Sequence, residues 1–327
     1  MLAQKEQITI LWFKRDLRIE DHPALCHAAQ LGFPILPLYV VEPALWMQSD
    51  YGGRQWEFTK ECLFDLRAQL GALGMPLVVR MGAVRKVLRE LAATFDVKHL
   101  VAHEETGTAW TFQRDLQVQA WCRESAIDFT ELPQSGVVRR LGTRDHWARA
   151  RDRFVDGARL KFPKALKPID IDIGHIPDWA DISGEPDRCP LRQHGGRRAA
   201  LASLDKFWGN GIKTYRWAMS SPVTAPHACS RISPHLALGV MSIREVAQLS
   251  ALRSKSFSTP AKKGYASFQS RLAWRDHFIQ KLEDQPDLDQ VAMHRAYDNL
   301  RPRNGNETLL SAWEKGETGL PFLDTCM

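Results

Sequence analysis

The chain has 327 residues, of which 44% are hydrophobic and 25% are charged, a composition typical of folded proteins long enough for two domains. No apolar run approaches the roughly 18 residues of a membrane span, and the polar, mixed-charge N-terminus does not read as a signal peptide. Six scattered cysteines without a C-x-x-C pair argue against a disulfide framework and a zinc site, so we expect a cytoplasmic protein with reduced thiols and no metal.

Short apolar runs alternate with amphipathic stretches from residue 8 to residue 132, which predicts a parallel sheet covered by helices on both faces. The predicted strands are Ile8–Phe13, Ile35–Val41, Leu77–Arg80, His99–Ala102 and Ile127–Leu132. The predicted helices are Pro23–Leu31, Arg54–Leu70, Val84–Phe95 and Trp110–Ser125. This part is therefore predicted to be a doubly wound, five-stranded, Rossmann-like α/β domain. The sequence contains neither G-x-G-x-x-G after the first strand nor a P-loop motif, which disfavours a dinucleotide fingerprint and a P-loop ATPase.

A charged segment follows the first predicted strand. It runs Trp12-Phe13-Lys14-Arg15-Asp16-Leu17-Arg18. In α/β proteins the carboxyl ends of parallel strands are where ligands bind, so these side chains are candidate site residues. Pro23 fits the first turn of the next helix, with Asp21 or His22 as its cap. The spacing alone fits an ordinary charged loop about equally well.

Residues 133–190 are rich in Arg, Lys, Pro and Asp, which predicts a long connection beginning with one or two basic helical turns. Residues 139–167 hold ten cations and three acids, a local charge of +7 against +6 for the whole chain. Such a patch can attract nucleic acid. A solvated, salt-bridged connection explains it slightly better.

Helical patterning dominates the remainder of the chain. The predicted helices are Arg197–Trp208, Ser242–Leu252, Lys262–Leu282 and Thr308–Lys315. Ser233 and Pro234 are predicted as the N-cap and first residue of a further helix. Free backbone N–H groups there, beside Arg231, would suit a diphosphate. A well-capped helix without a ligand is the simpler interpretation.

Four segments resemble the DNA photolyase/cryptochrome family. The first is Trp12-Phe13-Lys14-Arg15-Asp16-Leu17-Arg18 with Asp21-His22-Pro23-Ala24-Leu25, similar to the family's opening signature. The second, Ala228-Cys229-Ser230-Arg231-Ile232-Ser233-Pro234, resembles Gly-Thr-Ser-Arg-Leu-Ser-Pro, which wraps the FAD diphosphate, with Cys229 in place of Thr. The third, residues 313–327, resembles Trp-x-x-Gly-x-Thr-Gly-x-Pro-x-Val-Asp-Ala-x-Met. The resemblance implies FAD as cofactor, with these binding residues: Tyr215, Cys229, Ser230, Arg231, Ile232, Ser233, Phe268 and Arg275.

Residues 268–278 resemble the family's Glu-Leu-x-Trp-Arg-Glu-Phe segment. There the Trp stacks on a pyrimidine dimer and the first Glu hydrogen-bonds a damaged base, so the resemblance implies Trp274 and Arg271 as catalytic residues. Arg271 stands in the place of that Glu, and a cation with five donors cannot accept the usual base hydrogen bonds. This substitution puts repair of cyclobutane dimers by the ordinary mechanism in question.

The resemblance also implies how the chain is organised. The predicted domains are an α/β antenna domain over 1–132, a basic linker over 133–190 and the first part of a helical FAD-binding domain over 191–327. The family's C-terminal third, which closes around the flavin ring, has no counterpart here, so we expect an incomplete FAD-binding domain. Trp110-Thr111 stands where folate-using relatives have Asn-Glu, which leaves deazaflavin, folate or no antenna chromophore open. Tyr297 falls at the outer member of the family's tryptophan electron chain.

The predicted function is therefore a monomeric, light-driven flavoprotein that binds damaged DNA and no membrane. By resemblance it would repair pyrimidine dimers flipped out of the duplex, as a photolyase-type carbon–carbon lyase if the missing part is supplied. Two alternatives stay open: a cryptochrome-like blue-light photosensor without repair activity, and an incomplete, inactive fragment.

Overall fold

A computed structural model describes residues 5–183, 189–300 and 304–327. The chain divides into two compact units, Met1–Asp284 and Gln285–Met327. None of the described helices is both long and apolar enough to cross a membrane.

The first unit opens with five parallel strands, as predicted. They are β1 (Gln7–Phe13), β2 (Ile35–Val41), β3 (Val78–Met81), β4 (Asp96–His103) and β5 (Asp128–Leu132). Their order is β3-β2-β1-β4-β5. Every residue of β2 is buried, which explains its unbroken apolar run. The strand order reverses between β1 and β4, so the carboxyl edge of these two strands is the expected ligand-binding position in a doubly wound sheet.

Five helices accompany the sheet. They are α1 (Pro23–Gln30), α2 (Pro43–Trp46), α3 (Gly53–Ala72), α4 (Val84–Thr94) and α5 (Ala109–Glu124). Of the two predicted caps for α1, the structure uses His22, whose Nδ1 accepts a hydrogen bond from the Leu25 N–H at 2.9 Å. Asp21 instead adopts left-handed backbone with a φ of 48°. Its carboxylate accepts from Ser242 Oγ at 2.6 Å and Arg244 Nη1 at 2.7 Å.

The predicted linker packs against the sheet. The Val79 N–H of the edge strand β3 donates to the Ile173 carbonyl at 2.9 Å. Gly174 has a φ of 67°, and a Cβ there would lie 2.2 Å from the Val79 carbonyl oxygen. Apolar side chains of this segment, Leu166, Ile169 and Ile176, are buried in the core. We call residues 160–177 the strap, because they cover the open edge of the sheet.

The basic part of the linker forms a longer helix than predicted, α6 (Trp147–Asp156), followed by the single turn α7 (Trp179–Ile182). Four of its ten cations reach carboxylates: Arg139 to Glu131 at 2.8 Å, Arg144 to Asp284 at 2.8 Å, Arg151 to Asp276 at 3.0 Å and Arg159 to Glu245 at 3.7 Å. The other six cations are exposed. The segment is thus salt-bridged in part and solvated in part.

The rest of the first unit is helical, and the described residues after β5 contain no strand. The helices are α8 (Arg197–Lys206), α9 (Ile212–Ala218), α10 (Ala225–Ala228), α11 (Ser233–Ala237), α12 (Ile243–Ser254) and α13 (Thr259–Asp284), with a π-helical turn at Phe207–Gly211. The prediction for Ser233 was wrong by one position: Ile232 is the N-cap, without a side-chain hydrogen bond, and Pro234 is the second helical residue. Helix ends commonly shift by this much because the cap is set by backbone geometry.

The second unit contains a 3-10 turn at Arg295–Tyr297 and two helices, α14 (Glu307–Glu314) and α15 (Pro321–Cys326). Asn306 caps α14 by accepting from the N–H groups of the second and third helical residues at 3.0 and 3.2 Å. The Asp324 carboxylate accepts from the Thr318 and Gly319 N–H groups at 2.9 and 3.0 Å, which closes the turn between the helices.

The loop after β1 is bound to the end of α11. The Leu17 N–H donates to the Leu238 carbonyl, and Arg18 Nη1 donates to the Gly239 carbonyl, both at 2.9 Å. Arg15 Nε donates to the Ala237 carbonyl at 3.0 Å. The segment that the sequence offers as a ligand site is thus largely occupied in joining the α/β and helical parts.

Gly239→Ala should weaken the contact between the loop after β1 and the end of α11. Gly239 has a φ of 62°, and a Cβ there would lie 2.3 Å from the Arg15 carbonyl oxygen. Gly32 is a matched control, because its φ is 81° and nothing lies within 4 Å of its Cβ position. We expect Gly32→Ala to lower the free energy of unfolding by about 1 kcal/mol and Gly239→Ala by about 3 kcal/mol, measured by urea denaturation. Equal losses would contradict a close contact at Gly239.

Candidate functional site

A network of buried charges lies at the carboxyl edge of β1. Lys14 Nζ is 2.8 Å from an Asp115 oxygen and 3.6 Å from Glu131. Arg114 contacts Glu105 at 2.7 Å and Asp115 at 2.9 Å. Burial alone would lower the pKa of Lys14, but the Asp115 and Glu105 carboxylates outweigh it and raise that pKa. Lys14 is therefore committed to an ion-pair network in which two cations face three carboxylates.

A second buried cluster joins Asp16 to two histidines. Asp16 Oδ2 lies 2.6 Å from His103 Nδ1 and 3.1 Å from His22 Nε2. The remaining ring nitrogens accept from backbone: His103 Nε2 from the Ala24 N–H at 3.2 Å and His22 Nδ1 from the Leu25 N–H. An accepting nitrogen carries no proton, so each neutral ring has its proton on the nitrogen that faces Asp16.

This assignment argues against a metal ion at the cluster. A metal held by His22 Nε2 and His103 Nδ1 would move each ring proton to the other nitrogen. That nitrogen already faces a backbone N–H donor, so two donors would oppose each other. We therefore interpret Asp16, His22 and His103 as a structural hydrogen-bonded cluster under the loop after β1.

All three residues of the cluster have pKa values below their usual ones. Burial alone would raise the pKa of Asp16, but hydrogen bonds from His103 and His22 keep it well below the usual value. Burial lowers the pKa of His22. Burial and the neighbouring His22 together lower the pKa of His103 to about 3.

A cavity of about 610 Å³ opens beside the charge network. Aromatic side chains line it: Trp12, Tyr39, Trp46, Tyr51 and Phe58. Cationic side chains line it as well, among them Arg15, Arg54 and Arg231. The volume is within the range of small-molecule sites, and the rings and cations suit a planar, anionic ligand. We call this space the sheet-edge cavity.

Several residues predicted to bind flavin lie together in the helical part. The Tyr215 and Phe268 rings both contact Phe207, with centroids 5.3 and 4.9 Å apart. Burial raises the pKa of Tyr215, with a further contribution from neighbouring Cys229, against the opposing effect of nearby Arg271. Tyr215, Phe268, Cys229 and Arg271 therefore occupy one region of the molecule.

The turn at residues 229–233 presents a row of backbone N–H donors. Among the residues that the structure describes, none supplies an acceptor to the backbone N–H groups of Ser230, Arg231, Ile232 and Ser233. Arg231 is left-handed, with a φ of 56°, and its carbonyl accepts from Gln193 Nε2 at 2.8 Å. Left-handed backbone costs a non-glycine residue about 1–2 kcal/mol, so the surrounding structure must hold it. Four adjacent free N–H groups fit an anionic diphosphate.

The predicted catalytic side chains are exposed on α13. The Arg271 guanidinium lies 4.4 Å from the Trp274 ring centroid, and Lys281 Nζ lies 5.7 Å from that of Phe278. Trp274 is 52% exposed and Phe278 is 57% exposed. These four residues form the α13 stripe, in which two aromatic rings lie between two cations, a combination that single-stranded nucleic-acid sites use.

Arg275 has a different environment from its predicted flavin partners. Its Nη2 donates to the Leu236 carbonyl at 3.0 Å, and its Nη1 lies 3.3 Å from the buried Asp276 carboxylate. It therefore joins α13 to the C-terminal end of α11. No motif in the sequence marks Gln193 or Phe207, which contact Arg231 and Phe268 across long stretches of the chain.

A doubly wound sheet bound to a helical part with a diphosphate-suited turn defines a nucleotide-cofactor protein of mixed α/β and α architecture. The sequence model of DNA photolyase matches residues 9–145, and that of the FAD binding domain of DNA photolyase matches residues 268–327. The chain belongs to the DNA photolyase/cryptochrome family.

The relatives include both cryptochromes and photo-lyases. The chain is 26% identical to cryptochrome DASH of Gloeobacter violaceus, over 97% of this chain and 67% of the relative. It is 25% identical to the chloroplastic/mitochondrial cryptochrome DASH of Arabidopsis thaliana, over 98% of this chain and 60% of the relative. It is 26% identical to the deoxyribodipyrimidine photo-lyase of Agrobacterium fabrum, over 100% of this chain and 69% of the relative.

Solved structures share the fold. The class III photolyase of Agrobacterium tumefaciens aligns with a TM-score of 0.79 at 22% identity, over 98% of this chain and 68% of that one. The Synechocystis cryptochrome aligns with a TM-score of 0.82 at 20% identity, over 99% of this chain and 71% of that one. The chain thus spans between 60% and 71% of the length of these five proteins.

His103→Gln should make stability less dependent on pH. The unfolded histidine protonates near pH 6.5, whereas the folded ring stays neutral down to about 3, so stability is lost as pH falls below 6.5. Glutamine can donate to Asp16 and accept from Ala24 without titrating. Between about pH 6 and pH 5, the free energy of unfolding should fall by about 1 kcal/mol less in the variant than in the wild type, as measured by urea denaturation. An unchanged pH dependence would contradict the neutral assignment of His103.

Proposed function

We propose that this chain is a blue-light flavoprotein whose turn at residues 229–233 binds the FAD diphosphate and whose α13 stripe contacts damaged DNA. The observation that carries the proposal is the row of four free backbone N–H groups in a segment that resembles the family's flavin turn. The matches to the DNA photolyase and FAD-binding models support it. The proposed domains remain 1–132, 133–190 and 191–327.

When bound, FAD supplies the light-driven electron-transfer chemistry of the family. The chain's own residues bind and orient it. The backbone donors of the turn hold the negative charge, and Tyr215 and Phe268 provide an apolar wall nearby. Cys229 stays a neutral thiol, because burial raises its pKa. The turn therefore relies on backbone donors where relatives add a Thr hydroxyl.

The α13 stripe supports a role on DNA. Trp274 offers an exposed ring, and stacking of a base on such a ring contributes about 1–3 kcal/mol. Arg271 and Lys281 add cations that attract phosphate. An extruded pyrimidine pair, already weakly stacked, would find both kinds of contact here.

A photosensor without repair activity is the second candidate function. Arg271 favours it, since the guanidinium has no acceptor for a damaged base and its face is stacked on Trp274. Illumination of the protein with reductant and a dimer-containing oligonucleotide separates the two functions. Restored thymine absorbance supports repair, whereas no recovery alongside a normal flavin spectrum supports the sensor.

The sheet-edge cavity is our candidate site for an antenna chromophore. Its aromatic lining and cationic side chains suit a planar ring carrying an anionic group, which both deazaflavin cofactors and folates provide. The buried ion pairs of the charge network form a polar part of the cavity lining.

FAD should bind much more tightly than riboflavin, which has the same ring without phosphates. Charge-assisted hydrogen bonds contribute about 1.5–3 kcal/mol each, so we expect a preference of at least about 100-fold. Quenching of flavin fluorescence on titration with the purified chain measures both dissociation constants. Equal affinities would contradict the diphosphate site, and no binding of either ligand would overturn the flavin assignment for this chain.

Arg271→Glu should raise the preference for damaged DNA, because it restores the acceptor that relatives use. The measurement is the ratio of affinities for dimer-containing and undamaged oligonucleotides, in which general phosphate attraction cancels. We expect this ratio to rise about tenfold, as one hydrogen bond to a charged group allows. Arg253→Glu on α12 is the charge-matched control and should leave the ratio unchanged. An unaltered ratio in Arg271→Glu would remove this residue from the lesion site.

A further inference from the structure

The candidate flavin turn lies at the N-terminal end of helix α11, and four hydrogen-bond donors contact its C-terminal end. The helix has five residues, so at 1.5 Å per residue its two ends are only about 8 Å apart. No side chain caps its N-terminal end. The free N–H groups of residues 230–233 therefore depend on other contacts of α11 for their direction.

The Phe58 ring centroid lies 4.9 Å from that of His235, and Gln193 donates to the Arg231 carbonyl. Four further contacts are at the C-terminal end of α11. The carbonyls of residues 236 to 239 accept, in order, from Arg275, Arg15, the Leu17 N–H and Arg18, at 3.0, 3.0, 2.9 and 2.9 Å. Cations are favourable at a helix C-terminus because the carbonyls there carry partial negative charge. Three of the four donors come from the loop after β1, in the α/β part of the molecule.

Arg15 is the donor whose contribution is easiest to isolate. Arg18 is fully buried and also donates to the Asp21 carbonyl, so its loss would disturb the loop itself. Arg15 is half-buried and donates through Nε to the Ala237 carbonyl. Arg15 and Arg275 are also close enough for the Arg15 charge, together with the larger effect of burial, to lower the pKa of Arg275. Two like charges are held close together here because they donate to the carbonyls of adjacent residues, Ala237 and Leu236.

We propose that Arg15 is a positioning residue for FAD. It acts from the α/β part through the Ala237 carbonyl, fixing α11 so that the N–H groups of residues 230–233 converge on one diphosphate. This inference rests on the proposed flavin site. The segment Trp12–Arg18 would thereby contribute to cofactor binding, although it is distant in sequence from the flavin turn.

The test compares Arg15→Gln, Arg15→Lys and Arg89→Gln by titration with FAD and with riboflavin. Arg89 is an exposed cation on α4 and serves as the matched control. Arg15→Gln should weaken FAD binding about tenfold, equivalent to about 1.4 kcal/mol, and leave riboflavin binding unchanged. Arg15→Lys, which keeps a cation at the helix end, should recover most of the loss. General destabilisation would weaken both ligands equally and would overturn the proposal, as would a variant that binds FAD like the wild type.

Hydrogen exchange makes the test independent of FAD. The Leu236 and Leu238 N–H groups bond within α11 to the Ile232 and Pro234 carbonyls. They should exchange about tenfold faster in Arg15→Gln than in Arg89→Gln. Unchanged exchange would overturn the hold of Arg15 on α11. If the wild type binds no FAD but exchange still accelerates, the flavin role of Arg15 fails together with the proposed function, whereas its hold on the helix stands.

Discussion

The carbonyls at the end of α11 are the constraint on which the arrangement of this molecule depends. A helix five residues long cannot hold its own direction, and each carbonyl left without a donor in a partly buried place is costly. Arg15, Leu17 and Arg18 supply donors from one loop, and Arg275 supplies another from α13. Directed hydrogen bonds at the C-terminal end of α11, opposite the candidate flavin turn, consequently help to join the α/β sheet and the helices.

The loop that makes these bonds is itself held in place by the buried cluster of Asp16, His22 and His103. Asp16 is buried between His22 and His103, whose other nitrogens are taken by the first turn of α1. A buried carboxylate is tolerated because two ring N–H groups face it. Strand β1, helix α1 and strand β4 therefore fix the loop, and the loop fixes α11. Each layer supplies the hydrogen-bond partners that the next layer lacks.

Repetitive patterns made much of the fold predictable. The apolar run Ile35–Val41 is a strand because both faces of a parallel sheet are buried, and composition alone conveys this. The path of the strap was not predictable, since it depends on hydrogen bonds to partners distant in sequence, among them Leu73 and Val79, and on buried residues spaced without periodicity. Helix α9 was missed because it continues from the π-helical turn at Phe207–Gly211, and no local pattern encodes that widening.

The candidate site was predictable only where a motif lies on one continuous segment. The turn at residues 229–233 was found this way, whereas the partners of Arg275 and Lys14 were not, because pairing across the fold decides whether a cation is free for a ligand. Resemblance identified the residue types, and the structure shows which of them are already used.

The strap has a practical consequence for dividing the molecule. A piece ending at residue 132 would contain all five strands yet leave the outer rim of β3 without a neighbour, and would uncover the surface that Leu166 and Ile169 shield. Bare strand rims invite pairing between molecules, so such a piece would tend to self-associate. A soluble version of the sheet half should extend through residue 177.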